Sequence, residues 1–500
     1  MRRFNLFFAV FAIYANFAGA QDYQEENRMM DSVAGNAAKV FFTNAPECAF
    51  SVGIIKSGRI YLRNYGIIEK GLDQKPSDQN LYEIGSITKT FTALILAHAV
   101  LEKRVDPDDD IRKFLFGEYP NLVFSGKPIK LIHLVNWTSG MPNNIPVDPA
   151  ASGPVQFDSM APAFVNMHSS YNKEKFFSDL HQVKLDTFPG LNPRHSNAAA
   201  QLLAYILENI YKQPFSQLIE KYITKPLNMT HTYLSVPQGQ KNLRVKGYSE
   251  RGNLMPFLSD YDAPAFGIKS TIEDMARYVQ YQLDENDPAV KMTHQITLGD
   301  INYFAWGWNW FMNKRLDDKL KIHEDGTTFG FTANVLLYPQ QGFGVVLLTN
   351  ECDRNSNDRL IKITDKIYDE SNYTPTERAS LGFGYSANLN SLLSQLSVRG
   401  FDQAIPVTKE LKNKDSTFNL RENELNTWAY FLLRNVNKEK ALEIFKLNAF
   451  LYPQSSNAFN SLAECYAILG NKMLAIQNYK RSLELDPHNT DSANQLGKLK

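Results

Sequence analysis

The sequence predicts an α+β domain with a mainly antiparallel sheet, followed by an all-α segment of helical repeats. Strand patterns lie at both ends of residues 46–370, while the middle of that stretch is helical. This distribution favours one sheet that is closed by the two ends of its own domain. Beyond about residue 385 the pattern changes to paired helices with a repeat. A length of 500 residues also exceeds the usual size of one compact core, which favours two or three domains.

Local patterns identify the main elements of the first domain. Short runs rich in strand-forming residues over Ala49–Ile55 and Arg59–Tyr65, separated by a short turn that ends in glycine, predict a hairpin. Apolar residues at helical spacing predict a helix over Thr88–Lys103. Near the end of the domain, Phe331–Leu337 and Phe343–Leu348 predict a second hairpin.

Three tryptophans lie close together before the second hairpin. Trp306, Trp308 and Trp310 alternate with other residues, which predicts one strand with three indoles on the same face. Such a face is either part of the core or one wall of a substrate pocket, and the sequence favours neither.

The C-terminal part of the chain repeats with a period of 34 residues. This shift superposes small, aromatic and proline positions on their equivalents: Ala429 on Ala463, Ala441 on Ala475, Phe445 on Tyr479 and Pro453 on Pro487. The period and the order of residue types resemble the tetratricopeptide repeat. Two repeats span about 422–489, and Leu392–Leu411 is a degenerate third candidate. The alternative is an unrelated pair of helical hairpins; a repeat array would offer a surface for a protein partner.

Composition excludes several classes of function. The chain has 53 Lys and Arg residues and 53 Asp and Glu residues, so it has no overall field that would attract nucleic acid. The three cysteines, Cys48, Cys352 and Cys465, lie in no metal-ligand spacing, which excludes a zinc site built on thiolates. We therefore expect no metal, no cofactor and no nucleic-acid partner.

The first twenty residues have the pattern of a cleavable signal peptide. Arg2 and Arg3 precede an apolar run from Leu6 to about Phe17, and the small residues of Ala18–Ala20 match a cleavage site. The alternative is an uncleaved anchor, although the run is short for a membrane span. The sequence therefore predicts a periplasmic or secreted protein, without an integral membrane segment in the mature chain.

A serine and a lysine lie three residues apart at the start of the first predicted helix. One helical turn brings the side chains of Ser86 and Lys89 onto the same face. A lysine kept neutral by burial can take the proton of the serine hydroxyl and so create a nucleophile. Alone, the S-x-x-K pattern also fits a capping serine followed by a solvated lysine.

Several separated stretches resemble the serine β-lactamase and penicillin-binding family, in its class C-like branch. They occur in the family's order: Cys48–Gly66, Glu83–Ala93, Leu131–Pro142, Pro226–Thr230, Gly267–Tyr278 and Phe329–Asn350. The resemblance implies a β-lactamase/transpeptidase-like fold over residues 30–370. It also implies acyl transfer through Ser86, with Lys89 as the base and with esters or amides as substrates.

The second motif of this family departs from its usual form. Pro189–Asn197 fits the family pattern without a gap, but His195 stands at the position of the catalytic tyrosine. The resemblance implies that Asn197 orients the substrate, whereas His195 either relays protons in place of the phenol or fills a site that has lost its activity. An ordinary imidazole pKa of about 6.5 would allow it to exchange protons at neutral pH.

The third motif departs as well. Counting back from Gly330 without a gap places Glu324 at the position of the family's lysine or histidine, whereas one inserted residue would place His323 there. Strand alternation allows only one of these two side chains to face the pocket. An inward Glu324 would repel a substrate carboxylate and favour a neutral or cationic substrate, and an inward His323 would keep the ordinary pocket.

Gly326 and Thr327 complete the predicted substrate-binding strand, and the backbone N–H groups of Ser86 and Thr327 are candidates for the oxyanion hole.

Two functions from different classes follow from these motifs. The first is an exported serine hydrolase that cleaves D-amino-acid peptides, peptidoglycan-type peptides or small esters. The second is a catalytically impaired protein that binds a partner through its repeats, predicted over residues 388–500 after a linker over 371–387. The departures at His195 and Glu324 favour the second, and the retained Ser86, Lys89 and Asn197 favour the first.

Overall fold

A computed structural model of the chain describes residues 24–45, 47–146, 157–301, 304–315, 319–353, 355–374, 386–435 and 437–499. The described residues form two compact units, one drawn from Met1–Asn313 and Leu320–Asn372 and the other from Lys314–Lys319 and Tyr373–Lys500. The predicted signal peptide and residues 375–385 of the predicted linker lie outside the described residues. Among the described residues, no helix combines the length and the apolar character that a membrane span requires.

The first unit contains strands that are short in its middle and long at its two ends. They are β1 (Ala49–Lys56), β2 (Arg59–Gly66), β3 (Tyr82–Glu83), β4 (Val123–Phe124), β5 (Lys127–Pro128), β6 (Tyr248–Ser249), β7 (Lys269–Ser270), β8 (Leu298–Asp300), β9 (Phe304–Trp306), β10 (Phe311–Lys314), β11 (Leu320–Thr327), β12 (Thr332–Tyr338), β13 (Phe343–Thr349) and β14 (Glu351–Cys352).

The helices of this unit lie mostly between the two groups of long strands. They are α1 (residues 24–42), α2 (Thr88–Leu101), α3 (Leu131–Val135), α4 (Phe157–Ser169), α5 (Lys173–Leu180), α6 (Asn197–Tyr211), α7 (Phe215–Ile219), α8 (Ala263–Phe266), α9 (Ile272–Asp284), α10 (Pro288–Thr293) and α11 (Ser356–Asn372).

The main sheet has eight strands in the order β2-β1-β13-β12-β11-β10-β9-β8. Strand β1 pairs antiparallel with β13, with Phe50 opposite Thr349, so strands from the beginning and the end of the domain are neighbours in the sheet. Strands β1, β12 and β13 are buried on both faces, which explains why their sequences are apolar without alternation. The predicted α+β fold with a sheet closed by the ends of its own domain is confirmed.

Helices cover both faces of this sheet. On one face, α9 packs so closely that β13 needs a glycine: a Cβ at Gly344 would lie 2.6 Å from Cγ1 of Val279. On the other face, α1 and α11 lie side by side, and the ring of Phe41 in α1 stacks on Phe50 of β1 with centroids 4.6 Å apart. The unit is therefore layered, with the sheet between helices.

The prediction of one strand through the three tryptophans is wrong. Trp306 ends β9, and the chain reverses before β10, where Phe311 pairs antiparallel with Trp306. Asn309 adopts a left-handed conformation with φ of 55°, which accounts for the turn that alternation alone could not reveal. Trp308 and Trp310 belong to the hydrophobic core.

The second unit is helical throughout its named elements, and it follows the predicted period. Its helices are α12 (Ala387–Arg399), α13 (Ala404–Lys414), α14 (Glu422–Asn435), α15 (Lys438–Leu451), α16 (Ser456–Ile468), α17 (Lys472–Leu485) and α18 (Thr490–Leu499). Helices α14 and α16 begin 34 residues apart, as do α15 and α17. Ala429, Ala441, Ala463 and Ala475 are fully buried, because small side chains let paired helices approach.

Candidate active site

The candidate nucleophile lies in a tight turn that precedes α2. Gly85, Ser86 and Ile87 form one turn of 3₁₀ helix, and β11 packs directly against it. A Cβ on Gly85 would lie 2.4 Å from the backbone nitrogen of Thr327, and a Cβ on Gly326 would lie 1.9 Å from the carbonyl oxygen of Ile84. Glycine at both positions therefore allows the strand and the serine turn to meet.

Lys89 joins the serine to a second helix. Its Nζ donates hydrogen bonds to Oγ of Ser86 and to Oδ1 of Asn197, each over 2.8 Å. Lys89 is only 2 % exposed, and burial lowers its pKa to about 7, although Glu324 and Asp325 act in the opposite direction. A substantial fraction of the amine is therefore neutral near pH 7, as a base for Ser86 requires.

His195 lies on the other side of the serine. Its Nε2 is 3.5 Å from Oγ of Ser86, and its Nδ1 is 2.7 Å from Oδ1 of Asn143. Because a carbonyl oxygen can only accept, Nδ1 carries the ring proton and Nε2 presents its lone pair to the serine. Burial and the neighbouring Lys89 lower the pKa of His195 to about 3, so the imidazole is neutral. The edge of Trp137 fixes the ring from the side, with centroids 5.1 Å apart.

The loop after the T-S-G-M-P stretch supplies two site residues that the sequence analysis missed. Asn143 holds His195, and Oδ1 of Asn144 accepts a hydrogen bond of 3.0 Å from Nδ2 of Asn197. Ser196 fixes this loop against α6, because its Oγ donates to the carbonyl of Pro142 and accepts from the N–H of Ala199 at the helix start. The resemblance ends at Pro142, and polar residues in a loop carry no periodic signal, so neither asparagine stood out.

Strand β11 brings acidic side chains to the same place. Glu324 and Asp325 line the cavity beside Ser86, whereas His323 packs against the ring of Phe311 and is not among the described lining residues. Burial and the adjacent Asp325 raise the pKa of Glu324 well above its ordinary value. Burial also raises the pKa of Asp325 to about 6, and its Oδ2 accepts a hydrogen bond of 2.6 Å from Nδ2 of Asn357.

A backbone donor is available beside the nucleophile. The N–H of Thr328 donates to the carbonyl of Phe331, so antiparallel alternation directs the N–H of Thr327 away from β12. That nitrogen lies next to Gly85, as the close approach of the two backbones requires. The N–H groups of Thr327 and Ser86 are therefore suitably placed for an oxyanion.

These groups open into a single cavity of about 460 Å³. Its described lining combines a polar floor with aromatic walls: Ser86, Trp137, Asn143, Asn144, Met160, Phe164, His195, Asn197, Phe266, Phe311, Glu324, Asp325, Thr327, Thr328, Phe329 and Asn357. Of the predicted site residues, Ser86, His195, Asn197, Glu324 and Thr327 line it, and Lys89 contacts two of them. Gly326 is not in the lining and instead lets β11 approach the serine turn.

In the described part of the chain, no group of three or more His, Cys, Asp or Glu residues could hold a metal ion. Cys48, Cys352 and Cys465 are free and buried. Burial raises the pKa of Cys48 to about 12, which keeps this thiol protonated and unreactive.

A family model described as Beta-lactamase matches residues 47–367, more than half of the chain. The chain belongs to the β-lactamase family. A second model, described as Tetratricopeptide repeat, matches residues 456–489 of this β-lactamase-family chain. Both predicted resemblances are therefore confirmed.

Individual members of the β-lactamase family are distant from this chain. Protein flp of Staphylococcus aureus (strain N315) is 28% identical over 315 residues, which cover 60% of this chain and 59% of that protein. A beta-lactamase of Pseudomonas fluorescens is 26% identical over 338 residues, which cover 60% of this chain and 88% of the other. The chain thus spans little more than half the length of Protein flp.

Solved structures of the β-lactamase family share its fold. A β-lactamase/D-alanine carboxypeptidase from Yersinia pestis superposes with a TM-score of 0.58 and 22% identity, covering 68% of this chain and 99% of that one. A class C beta-lactamase superposes equally well, with a TM-score of 0.58, 21% identity, and coverage of 69% of this chain and 96% of the other. The predicted β-lactamase/transpeptidase-like fold is confirmed.

Proposed function

We propose that the chain is a serine hydrolase that cleaves esters or amides through an acyl-enzyme on Ser86. The observation that carries this proposal is the hydrogen bond of 2.8 Å between Oγ of Ser86 and Nζ of a buried Lys89 whose pKa is lowered to about 7. A neutral amine at that distance can take the hydroxyl proton as the oxygen attacks a carbonyl.

Acylation would use the groups around the serine in distinct roles. Lys89 accepts the proton of Ser86, and Asn197 holds the amine in place through Oδ1. The N–H groups of Ser86 and Thr327 stabilise the negative charge that develops on the substrate oxygen. Lys89 then returns the proton to the leaving group, which departs and leaves the acyl group on Oγ.

His195 would serve the proton transfers in place of a tyrosine. Its low pKa keeps the ring neutral, and the bond to Asn143 leaves Nε2 as an acceptor that faces Ser86. In the second half of the reaction a water replaces the leaving group, and Nε2 is placed to accept a hydrogen bond from it. That contact orients the water for attack on the acyl carbon. Lys89, neutral again after acylation, takes a proton from the attacking water and returns it to Oγ as the ester bond breaks, which regenerates Ser86.

The substrate classes follow from the family and not from this cavity alone. D-amino-acid peptides, peptidoglycan-type peptides and small esters are the proposed classes, supported by relatives that include a D-alanine carboxypeptidase. A periplasmic or secreted location is proposed from the first twenty residues.

Intact mass of the protein after incubation with a fluorophosphonate, and separately with a penicillin, tests this proposal. We expect one fluorophosphonate adduct on the native chain and none on Ser86→Ala. An adduct with penicillin in addition would indicate that a carboxylate-bearing substrate is accepted. Lack of an adduct with either reagent, in protein whose folding is verified by circular dichroism, would contradict the proposal.

A binding protein without activity is the second candidate. The tetratricopeptide repeat matched over residues 456–489 favours it, because such repeats commonly bind proteins. It predicts a folded protein that forms no adduct with the fluorophosphonate, so the same experiment separates the two functions.

A further inference from the structure

The cavity lining contains a buried carboxyl group that has no role in the proposed chemistry. Glu324 is 2 % exposed, and its Oε2 has no hydrogen-bond partner among the described residues. Burial of a carboxyl group without a partner is costly, so such a group is uncommon unless a ligand completes it. Oγ of Ser86 opens onto the same cavity.

A second acid lies beside it and is held in place. Asp325 accepts from Nδ2 of Asn357, and Oδ1 of Asn357 accepts a hydrogen bond of 2.7 Å from Oγ1 of Thr327. This chain of hydrogen bonds fixes the Asp325 carboxylate at the cavity wall. A further carboxyl group, Asp358, acts on Asp325 and adds to the negative potential.

The balance of charge in the cavity is therefore acidic. Among the described lining residues, Glu324 and Asp325 are the only carboxyl groups, none is a lysine or arginine, and His195 is neutral. The adjacent amine of Lys89 is engaged with Ser86 and Asn197. A bound ammonium group would favour the ionised form of both acids, whereas a substrate carboxylate at the same place would be repelled.

The remaining walls are suited to the same ligand. Five aromatic side chains line the cavity: Trp137, Phe164, Phe266, Phe311 and Phe329. The faces of such rings attract organic cations, and they also bury the apolar groups attached to them. Carboxylates and aromatic faces together form an environment for an ammonium group on an apolar chain.

We propose that this cavity binds substrates that carry a cationic ammonium group, with Glu324 and Asp325 as its counter-charges. That the bound cation is a substrate rests on the proposed hydrolase function. That the cavity prefers a cation rests on the two acids and the aromatic rings. Binding of the cation would supply the missing partner of Glu324 and place an ester or amide group near Ser86.

Three ligands that differ only in the charge of one end test this inference. Hexylammonium, 1-hexanol and hexanoate are titrated calorimetrically into Ser86→Ala, which keeps the cavity and cannot be acylated. We expect hexylammonium to bind about tenfold more tightly than hexanol, and hexanoate to bind more weakly than either. Equal binding of the amine and the alcohol, or preference for hexanoate, would overturn the inference.

Variants assign the preference to the two acids. In the Ser86→Ala background, Glu324→Gln and Asp325→Asn keep the size of each side chain, and together they should reduce the tenfold preference to about twofold or less. Asp108→Asn, at a side chain that is 72% exposed, serves as the control and should keep it. An unchanged preference in the double variant would also overturn the inference.

The same ligands separate this inference from the proposed function. In the native chain, hexylammonium should slow fluorophosphonate labelling of Ser86 at lower concentrations than hexanol. Labelling that hexylammonium slows no better than hexanol would overturn the cation site while the hydrolase proposal stands. A cation preference in a protein that never labels would support the cation site and contradict the hydrolase proposal.

Discussion

The role of Lys89 as the base can be tested by one isosteric substitution. Asn197→Asp would replace the amide oxygen, 2.8 Å from Nζ of Lys89, with a carboxylate oxygen of the same size. A negative charge at that distance stabilises the ammonium form and raises the pKa of Lys89 by about 1–3. The variant therefore changes the protonation of the base with little change in shape.

The magnitude follows from the pKa of Lys89, which lies at about 7 in the native chain. The neutral form acts as the base, so labelling of Ser86 should rise with pH, by about tenfold between pH 6 and pH 8. In Asn197→Asp the neutral fraction at pH 7 falls from about one half to between about one tenth and one thousandth. Labelling at pH 7 should therefore slow by about fivefold to several hundredfold.

The assay is the rate of labelling by a fluorophosphonate between pH 5 and pH 10, with thermal unfolding recorded at each pH. Asn209→Asp is the matched control, because it lies on the same helix α6 about 18 Å along the axis from Asn197. The pH at which the labelling rate of Asn209→Asp is half-maximal should equal that of the native chain. A flat profile would refute the reasoning and favour His195, which stays neutral over this whole range because its pKa is about 3. The assignment of Lys89 as the base would also be refuted if the half-maximal pH of labelling were the same in Asn197→Asp as in the native chain.

Three further predictions concern single side chains. Asn143→Ala should slow labelling of Ser86 by about tenfold or more, since His195 loses its partner at Nδ1, whereas Asn143→Asp keeps an acceptor and should retain a rate closer to native. Gly326→Ala should cost about 3 kcal/mol in the free energy of unfolding, because its Cβ would lie 1.9 Å from a carbonyl oxygen, whereas Gly239→Ala meets no atom within 4 Å and should be nearly neutral in the same urea titration. Phe445→Ala should destabilise the helical repeats by about 3–5 kcal/mol, measured by circular dichroism in urea, because its ring is fully buried.

Local spacing was enough to predict part of the site. Ser86 and Lys89 lie one helical turn apart, and the structure places them in direct contact. The position of His195 followed from a motif 109 residues further along the chain, and it lies within 3.5 Å of the serine. Spacing along one helix carried the information for Lys89, whereas His195 was located through the resemblance to the family's second motif. Both motifs lie at the start of a helix.

The remaining site residues depend on tertiary contacts that leave no pattern. Asn143 acts through one contact from an exposed loop, which no periodicity reveals. Alternation suggested that adjacent residues of β11 would point apart, yet Glu324 and Asp325 both line the cavity. Both residues lie within the last four residues of β11. The turn at Asn309 was missed for a related reason, since a positive φ at a residue other than glycine is not encoded in the alternation of tryptophans.

Because β1 pairs with β13, the main sheet of this domain can be completed only late in its synthesis. Ala49 donates its N–H to Oδ1 of Asn350, a partner that is translated 301 residues later. At about 5–20 residues per second, roughly 15–60 s pass before the ribosome supplies it. During that interval one edge of β1 has no strand beside it, because β13 has not yet been translated. A nascent chain of this length therefore needs a chaperone or a partly formed helical layer to shield its first strands until the last ones emerge.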